Sequence, residues 1–200
     1  MASRDRKPFV CLPVAGQSFW HPTEPDSRRT ALREAAYIRR TKFVNGVLVH
    51  DFACRAEDLF MLSPIIPEAA PAWAHKPFLR WHFADKAVAG ASETGAVRAW
   101  HVCADLPLGM SRGEWTDGAE RIVRDVLPSI AVAEICGHVP TDHPPHIHIL
   151  VAARVAGARR YGRLISGLED ILLNDLRKRW LEWCCVGQPR RTPQDSRVAA

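Results

Sequence analysis

Short apolar runs broken by prolines alternate along this chain with longer stretches of helical periodicity. Residues 8–14 predict a strand, and Pro13 inside it restricts that strand to a sheet edge. Ser27 is placed as the N-cap of a helix over about 28–41, in which Ala31, Leu32, Ala35, Ala36 and Ile38 form a stripe of mostly small apolar residues. Such a stripe lets a helix sit close against a flat surface such as a sheet. Residues 43–49 predict a tight hairpin around Asn45-Gly46, and the proline-punctuated segment 64–71 reads as a loop. A second helix is expected from Pro77 through Trp81 and Phe83 toward Ala89, with Gly90 as its stop. VRAWHVCAD at 97–105 predicts a strand, and Ser111 with Glu114 makes a capping box that opens a helix to about Val126. Residues 130–136 read as a buried strand, 139–145 as a turn, and 146–153 as the next strand. A last helix over 163–184 carries Leu164, Leu168, Ile171, Leu172, Leu176, Trp180 and Trp183 at helical spacing.

Strands near 97, 130 and 146 with helices between them define an α+β class. The expected architecture is a mostly antiparallel central sheet with helices packed on one face and the other face open to a substrate. Residues 1–26 form an N-terminal extension with an edge strand, 27–186 the main domain, and 187–200 a polar tail.

Composition narrows the class. At 200 residues, 47% hydrophobic and 24% charged, the chain has the balance of one globular domain, which excludes wholesale disorder. No apolar run approaches the roughly 18 residues of a membrane span, and the charged N-terminus has no apolar stretch behind it. No membrane insertion and a cytoplasmic location are the expectation. The six cysteines include no C-x-x-C pair and read as reduced thiols. Charge is focused: Arg28 to Lys42 holds six bases and one acid, while Arg154 to Arg163 holds four arginines and no acid. Two basic segments in an otherwise balanced chain point to a polyanion partner or to solvated faces that bind nothing.

The most informative segment for chemistry is 138–150. Side chains two apart on a strand share a face, so His146 and His148 point together while Ile147 and Ile149 point toward a core. A hairpin return brings His138 beside them, and three converging imidazoles make a divalent-metal site with open positions. A zinc-protease HExxH is absent, Leu150 stands where a nucleotide hydrolase with three alternating histidines would need its third, and there is no P-C-x-x-C of the deaminases. Cys136, two before His138, leaves a mixed sulfur and nitrogen zinc site open. The chain has two tyrosines. Tyr37 late in the basic helix is either a phenol packed at a helix edge or a nucleophile able to form a phosphotyrosine link.

The order Ala36-Tyr37-Ile38-Arg39, Val49-His50-Asp51-Phe52, Asp105-Leu106-Pro107, then His138 with His146-Ile147-His148, resembles the MobA/MobL relaxases of the HUH endonuclease class. The resemblance covers about residues 27–155. It implies a DNA relaxase that nicks and rejoins one strand at a plasmid origin of transfer in conjugative mobilisation. Tyr37 would be the nucleophile and His138, His146 and His148 the ligands of Mg²⁺ or Mn²⁺. Arg28, Arg29, Arg33, Arg39 and Arg40 would neutralise phosphates near the nick, and Arg154, Arg159 and Arg160 would supply a second DNA contact. Trp20 and Trp115 are candidates to stack unpaired bases. Implied partners are single-stranded or hairpin DNA, relaxosome accessory proteins and secretion-system coupling proteins. The sequence departs from the family where alternating glutamates commonly precede Leu106-Pro107: His101 and Cys103 stand there. His101 is then a general base, an additional ligand, or a histidine satisfied by structure alone. Glu34, one turn before Tyr37, either takes the phenol proton or pairs with an arginine. Rival readings are a non-cleaving DNA-binding relative, a rolling-circle replication initiator, and an unrelated three-histidine hydrolase.

Overall fold

The computed structural model describes residues 8–15, 29–45, 48–88 and 96–186. The strands are β1 (Phe9–Val14), β2 (Lys42–Asn45), β3 (Leu48–Asp51), β4 (Leu59–Ile65), β5 (Ala99–Asp105), β6 (Ala133–His138), β7 (His146–Ala152), β8 (Arg154–Ala156) and β9 (Tyr161–Leu164). Five of them form one antiparallel sheet in the order β1-β5-β7-β6-β4. The other four make two hairpins, β2–β3 and β8–β9. Three helices, α1 (Ala31–Ile38), α2 (Pro77–Lys86) and α3 (Arg112–Val126), precede a C-terminal helix. That last helix runs without a break through Leu168–Asp170, a π-helical stretch Ile171–Leu176 and Arg177–Val186.

The α+β class and the antiparallel sheet are those expected. The helices, however, divide between the two faces of the sheet. Val102, Ile135, Ile147, Ile149 and Val151 pack with Trp115, Ala119, Ile122 and Val123 of α3 and with Leu172, Leu176 and Trp180 of the C-terminal helix. Ala99, Cys136, Leu150 and Ala152 on the opposite face pack with Ala31, Leu32, Ala35 and Ile38 of α1 and with Trp81 and Ala84 of α2. Every residue of β6 and β7 is therefore buried, Glu134, His138, His146 and His148 among them. A cleft opens on the second face beside His148.

α1 is shorter than expected. Thr30 caps it by accepting from the Arg33 amide at 3.1 Å, and Asp85 of α2 accepts from the Ala31 and Leu32 amides at 2.7 and 3.1 Å. Ser27, Gly46, Gly90 and Trp20 lie outside the described residues. Part of the expected loop at 64–71 is strand instead. Pro64 sits in β4, which among the described residues pairs only with β6, and an edge strand tolerates a residue without an N–H. The final helix starts at Leu168 rather than 163, because Arg154–Ala156 and Tyr161–Leu164 pair with one another first. The capping box at Ser111 and Glu114 forms as expected, with both reciprocal bonds present. Trp115 is core, donating its indole N–H to the Pro107 carbonyl, so it offers no platform to a base. All six cysteines are free thiols, and no helix among the described residues is long and apolar enough to cross a membrane.

Candidate active site

The centre of the sheet carries the candidate chemistry. His146 and His148 project from β7 toward α1. The registers set His138 of β6 opposite His146, and set Cys103 of β5 and Cys136 of β6 on either side of His148. The ring of His148 lies 4.7 Å from His138, 5.0 Å from His146 and 5.0 Å from His101, centroid to centroid. α1 crosses this cluster and sets the Tyr37 ring edge-on to His148 at 5.4 Å and against Phe52 at 5.5 Å. The sheet thus brings together all three histidines expected to converge, and the small-residue face of α1 brings the tyrosine down onto them.

The turn after α1 is strained. Arg40 adopts φ 50°, a conformation uncommon for a bulky side chain and often retained where function demands it. It drives a buried guanidinium into the cluster, with its carbon 4.6 Å from the Tyr37 ring centroid and Nη2 3.2 Å from His138 Nδ1. Asp58 lies 3.8 Å from the same nitrogen.

Hydrogen bonds assign the ring nitrogens. His138 Nε2–H donates to the Ile38 carbonyl at 2.7 Å while Nδ1 receives Arg40, so neither nitrogen is left over. His146 Nδ1–H donates to the Pro144 carbonyl at 2.8 Å, which puts the lone pair on Nε2. His148 Nδ1 meets His101 Nε2 at 2.9 Å, and His101 Nδ1 meets Glu34 Oε2 at 2.8 Å. Arg29 closes this chain on Glu34 at 3.0 Å. At its other end His148 Nε2 is buried without a partner. The ligand atoms of Cys103, His146 and His148 all lie within 4.8 Å of one another. A buried orphan nitrogen beside a second imidazole and a thiol fits a bound metal ion. Cys136 is wholly buried in the core beneath, and burial pushes its thiol well above its usual range.

A cleft of about 470 Å³ opens over this group, lined by Val10, Leu12, Arg29, Arg33, Glu34, Tyr37, Phe52, His101, Cys103 and His148. The basic helix does not present its charges to solvent as expected. Arg29 and Arg40 are buried, and Arg39 pairs with Glu134 of β6. Glu134 and Asp58, brought from distant segments, face Arg39 and Arg40, which counting charge along the chain could not show, while Arg29 pairs locally with Glu34. Arg33 is half-buried on the cleft wall, and Arg28 lies outside the described residues. Arg159 and Arg160 are exposed at the turn of the β8–β9 hairpin, and Arg154 donates within that hairpin to the Gly162 carbonyl at 3.0 Å. The hairpin begins beyond Ala152, about 13 Å along the strand from His148. Cys103, Asp58 and Glu134 are the residues sequence reasoning gave no role at this site, and Arg40, expected to meet a phosphate, instead packs on Tyr37 and His138. The sequence marked Cys103 only as standing where the family it resembles commonly carries a glutamate.

Burial, reinforced by the Arg40 charge, lowers the His138 pKa to about 3, and burial with His101 and His138 beside it sets His148 well below 6.5. Burial alone would raise the Glu34 carboxyl, but the bonds and charges of His101 and Arg29 hold it down to about 2. In the unfolded chain an imidazole binds its proton near pH 6.5, well before the folded rings do. The stability these neutral rings contribute is therefore complete above that pH and lost as the pH falls toward 3, at up to about 1.4 kcal/mol per pH unit for each ring. Metal-free protein is expected to unfold at a lower urea midpoint at pH 5 than at pH 7. Equal midpoints would contradict this assignment of neutral rings.

No protein-family model matches the chain, and no curated protein matches it. Among solved structures it is similar to one described as the molecular basis of vancomycin resistance transfer in Staphylococcus aureus. The TM-score is 0.63 at 14% identity, over 80% of this chain and 84% of the other. At that identity the likeness establishes the fold.

Proposed function

We propose that the protein is a relaxase-type strand transferase of the MobA/MobL kind, acting on single-stranded or hairpin DNA at an origin of transfer. The observation that carries this reading is Tyr37 held edge-on to His148, over a cluster of buried imidazoles, in an open cleft. The similarity to a protein concerned with vancomycin resistance transfer supports it. Tyr37 Oη attacks the scissile phosphorus and the bond to O3′ breaks. The 5′ phosphate stays on the tyrosine, and the departing 3′ oxygen takes up a proton as the phenol loses one. The phosphodiester energy is retained in the link, so reversal rejoins the strand.

Arg40 lies over the Tyr37 ring as a cation on an aromatic face and holds the ring in place. Glu34 and His101 act as positioning residues that fix the His148 ring, because both His101 nitrogens are already bonded. Arg33 on the cleft wall is placed to meet a phosphate, and Val10, Leu12 and Phe52 offer an apolar wall to an unstacked base. A divalent ion held at His146 and His148 would neutralise charge on a non-bridging phosphate oxygen. In a conjugative setting the partners would be relaxosome accessory and secretion-system coupling proteins.

The test uses tiled single strands, labelled at the 3′ end, from the replicon that carries the gene. Purified protein with Mn²⁺ is expected to yield a labelled band on a denaturing gel at the mass of protein plus DNA. Binding without an adduct under any divalent ion would overturn the reading in favour of a non-cleaving DNA-binding relative.

A further inference from the structure

We propose that the metal ligands are Cys103, His146 and His148, that His138 is not among them, and that the site takes a thiophilic divalent ion of the zinc class. This deepens the relaxase reading, yet it is tested without DNA, so each can fail alone. Four observations converge on it. The β5–β7 register sets Cys103 directly across from His148, where cross-strand side chains are nearest neighbours, and their ligand atoms lie with that of His146 inside 4.8 Å. Tetrahedral ligands at roughly 2.1–2.3 Å from zinc are about 3.6 Å apart, so the group closes on an ion with an adjustment of about 1 Å. His148 Nε2 is a buried ring nitrogen with no hydrogen-bond partner among the described residues. Both ligand imidazoles are tied through Nδ1, His146 to the Pro144 carbonyl and His148 to His101, which is the outer-sphere arrangement that presents Nε2 to a metal.

His138 is excluded on the same grounds. Its Nε2 proton is given to the Ile38 carbonyl and its Nδ1 faces the Arg40 guanidinium, a donor that never loses its proton. A dication at that nitrogen would also displace a buried, positively charged neighbour. His138 is instead the strut that holds Arg40 against Tyr37. One sulfur and two imidazoles form a borderline-soft donor set, whereas Mg²⁺ seeks oxygen ligands. On binding, the Cys103 thiol loses its proton to solvent as the sulfur–metal bond forms. The three protein donors leave a further position for an oxygen of the bound strand.

Full-length protein titrated with Co²⁺ should develop the near-ultraviolet thiolate-to-cobalt band. Zn²⁺ should bleach it, and Mg²⁺ in large excess should not. Cys103→Ser should remove the band and weaken binding by about 100-fold, and His138→Gln should keep both within a few-fold. A band that survives Cys103→Ser, or an absent band at saturating Co²⁺, overturns the proposal. X-ray absorption on the zinc-loaded wild type needs no variant. One sulfur in the coordination shell supports the ligand set, and a shell of nitrogen and oxygen alone refutes it.

Discussion

Tyr37→Phe is expected to abolish the covalent protein–DNA adduct, with a loss of at least about 10⁴-fold in its rate of formation, the scale seen when a nucleophile is removed. The substitution deletes one oxygen and keeps the ring, so the contacts to Phe52, His148 and Arg40 survive. DNA affinity and melting temperature should therefore hardly move. Tyr161→Phe is the matched control. That phenol is buried in the second core cluster, with its pKa pushed well up by burial, so it cannot present a phenolate to a strand. Gel analysis and mass spectrometry of the adduct peptide distinguish the two tyrosines. An adduct that persists in Tyr37→Phe would rule out the proposed nucleophile.

Tyr37 also marks the boundary of what the chain alone could tell. The period-two pattern at 146–153 gave the strand and its histidine face, because a buried strand repeats every second residue wherever it lies in a sheet. The capping box at Ser111 was equally legible, being a contact between residues three apart. That Tyr37 would meet His148 across more than a hundred residues followed from family resemblance and not from periodicity. Four features resisted local reading for the same reason. Pro64 disguised β4 because its edge position is a property of the assembled sheet. The helices cover both faces, but Glu134, His138, His146 and His148 on the second face of β6 and β7 read as polar positions of a one-sided sheet. His138 had the right spacing for a ligand, but its nitrogens meet the Ile38 carbonyl and Arg40, which lie 100 and 98 positions away in sequence. The arginines of α1 read as a solvated basic face until Glu134 and Asp58 arrived from other strands and turns.

Glu134→Ala should be the most destabilising single change, at about 3–5 kcal/mol, the usual cost of removing one partner from a buried ion pair. Glu134 is fully buried on β6 and accepts from Arg80 Nη1 at 2.6 Å, from Trp81 Nε1 at 3.1 Å and from Arg39. Arg80 is itself only 1% exposed and spends its remaining Nε–H on the Ala74 carbonyl at 2.7 Å. Without the carboxylate, one guanidinium is stranded in the core, a second is left half-covered at the end of α1, and the indole N–H loses its acceptor. Water cannot easily reach them, because α1 and α2 pack over β6 at this point. For a domain of this length each kcal/mol is worth roughly 2–4 °C, so the melting temperature should fall by about 10 °C. The charge, not the cavity, is the main cause. A double-mutant cycle with Arg80→Ala should therefore show the second substitution costing clearly less in the Glu134→Ala background than in wild type. Additive losses, or a shift below about 2 °C for Glu134→Ala alone, would mean that this carboxylate is not what binds α1 and α2 to the sheet. The same anchor holds Arg39 next to the strained Arg40, so its loss should slow adduct formation even at temperatures where the fold persists.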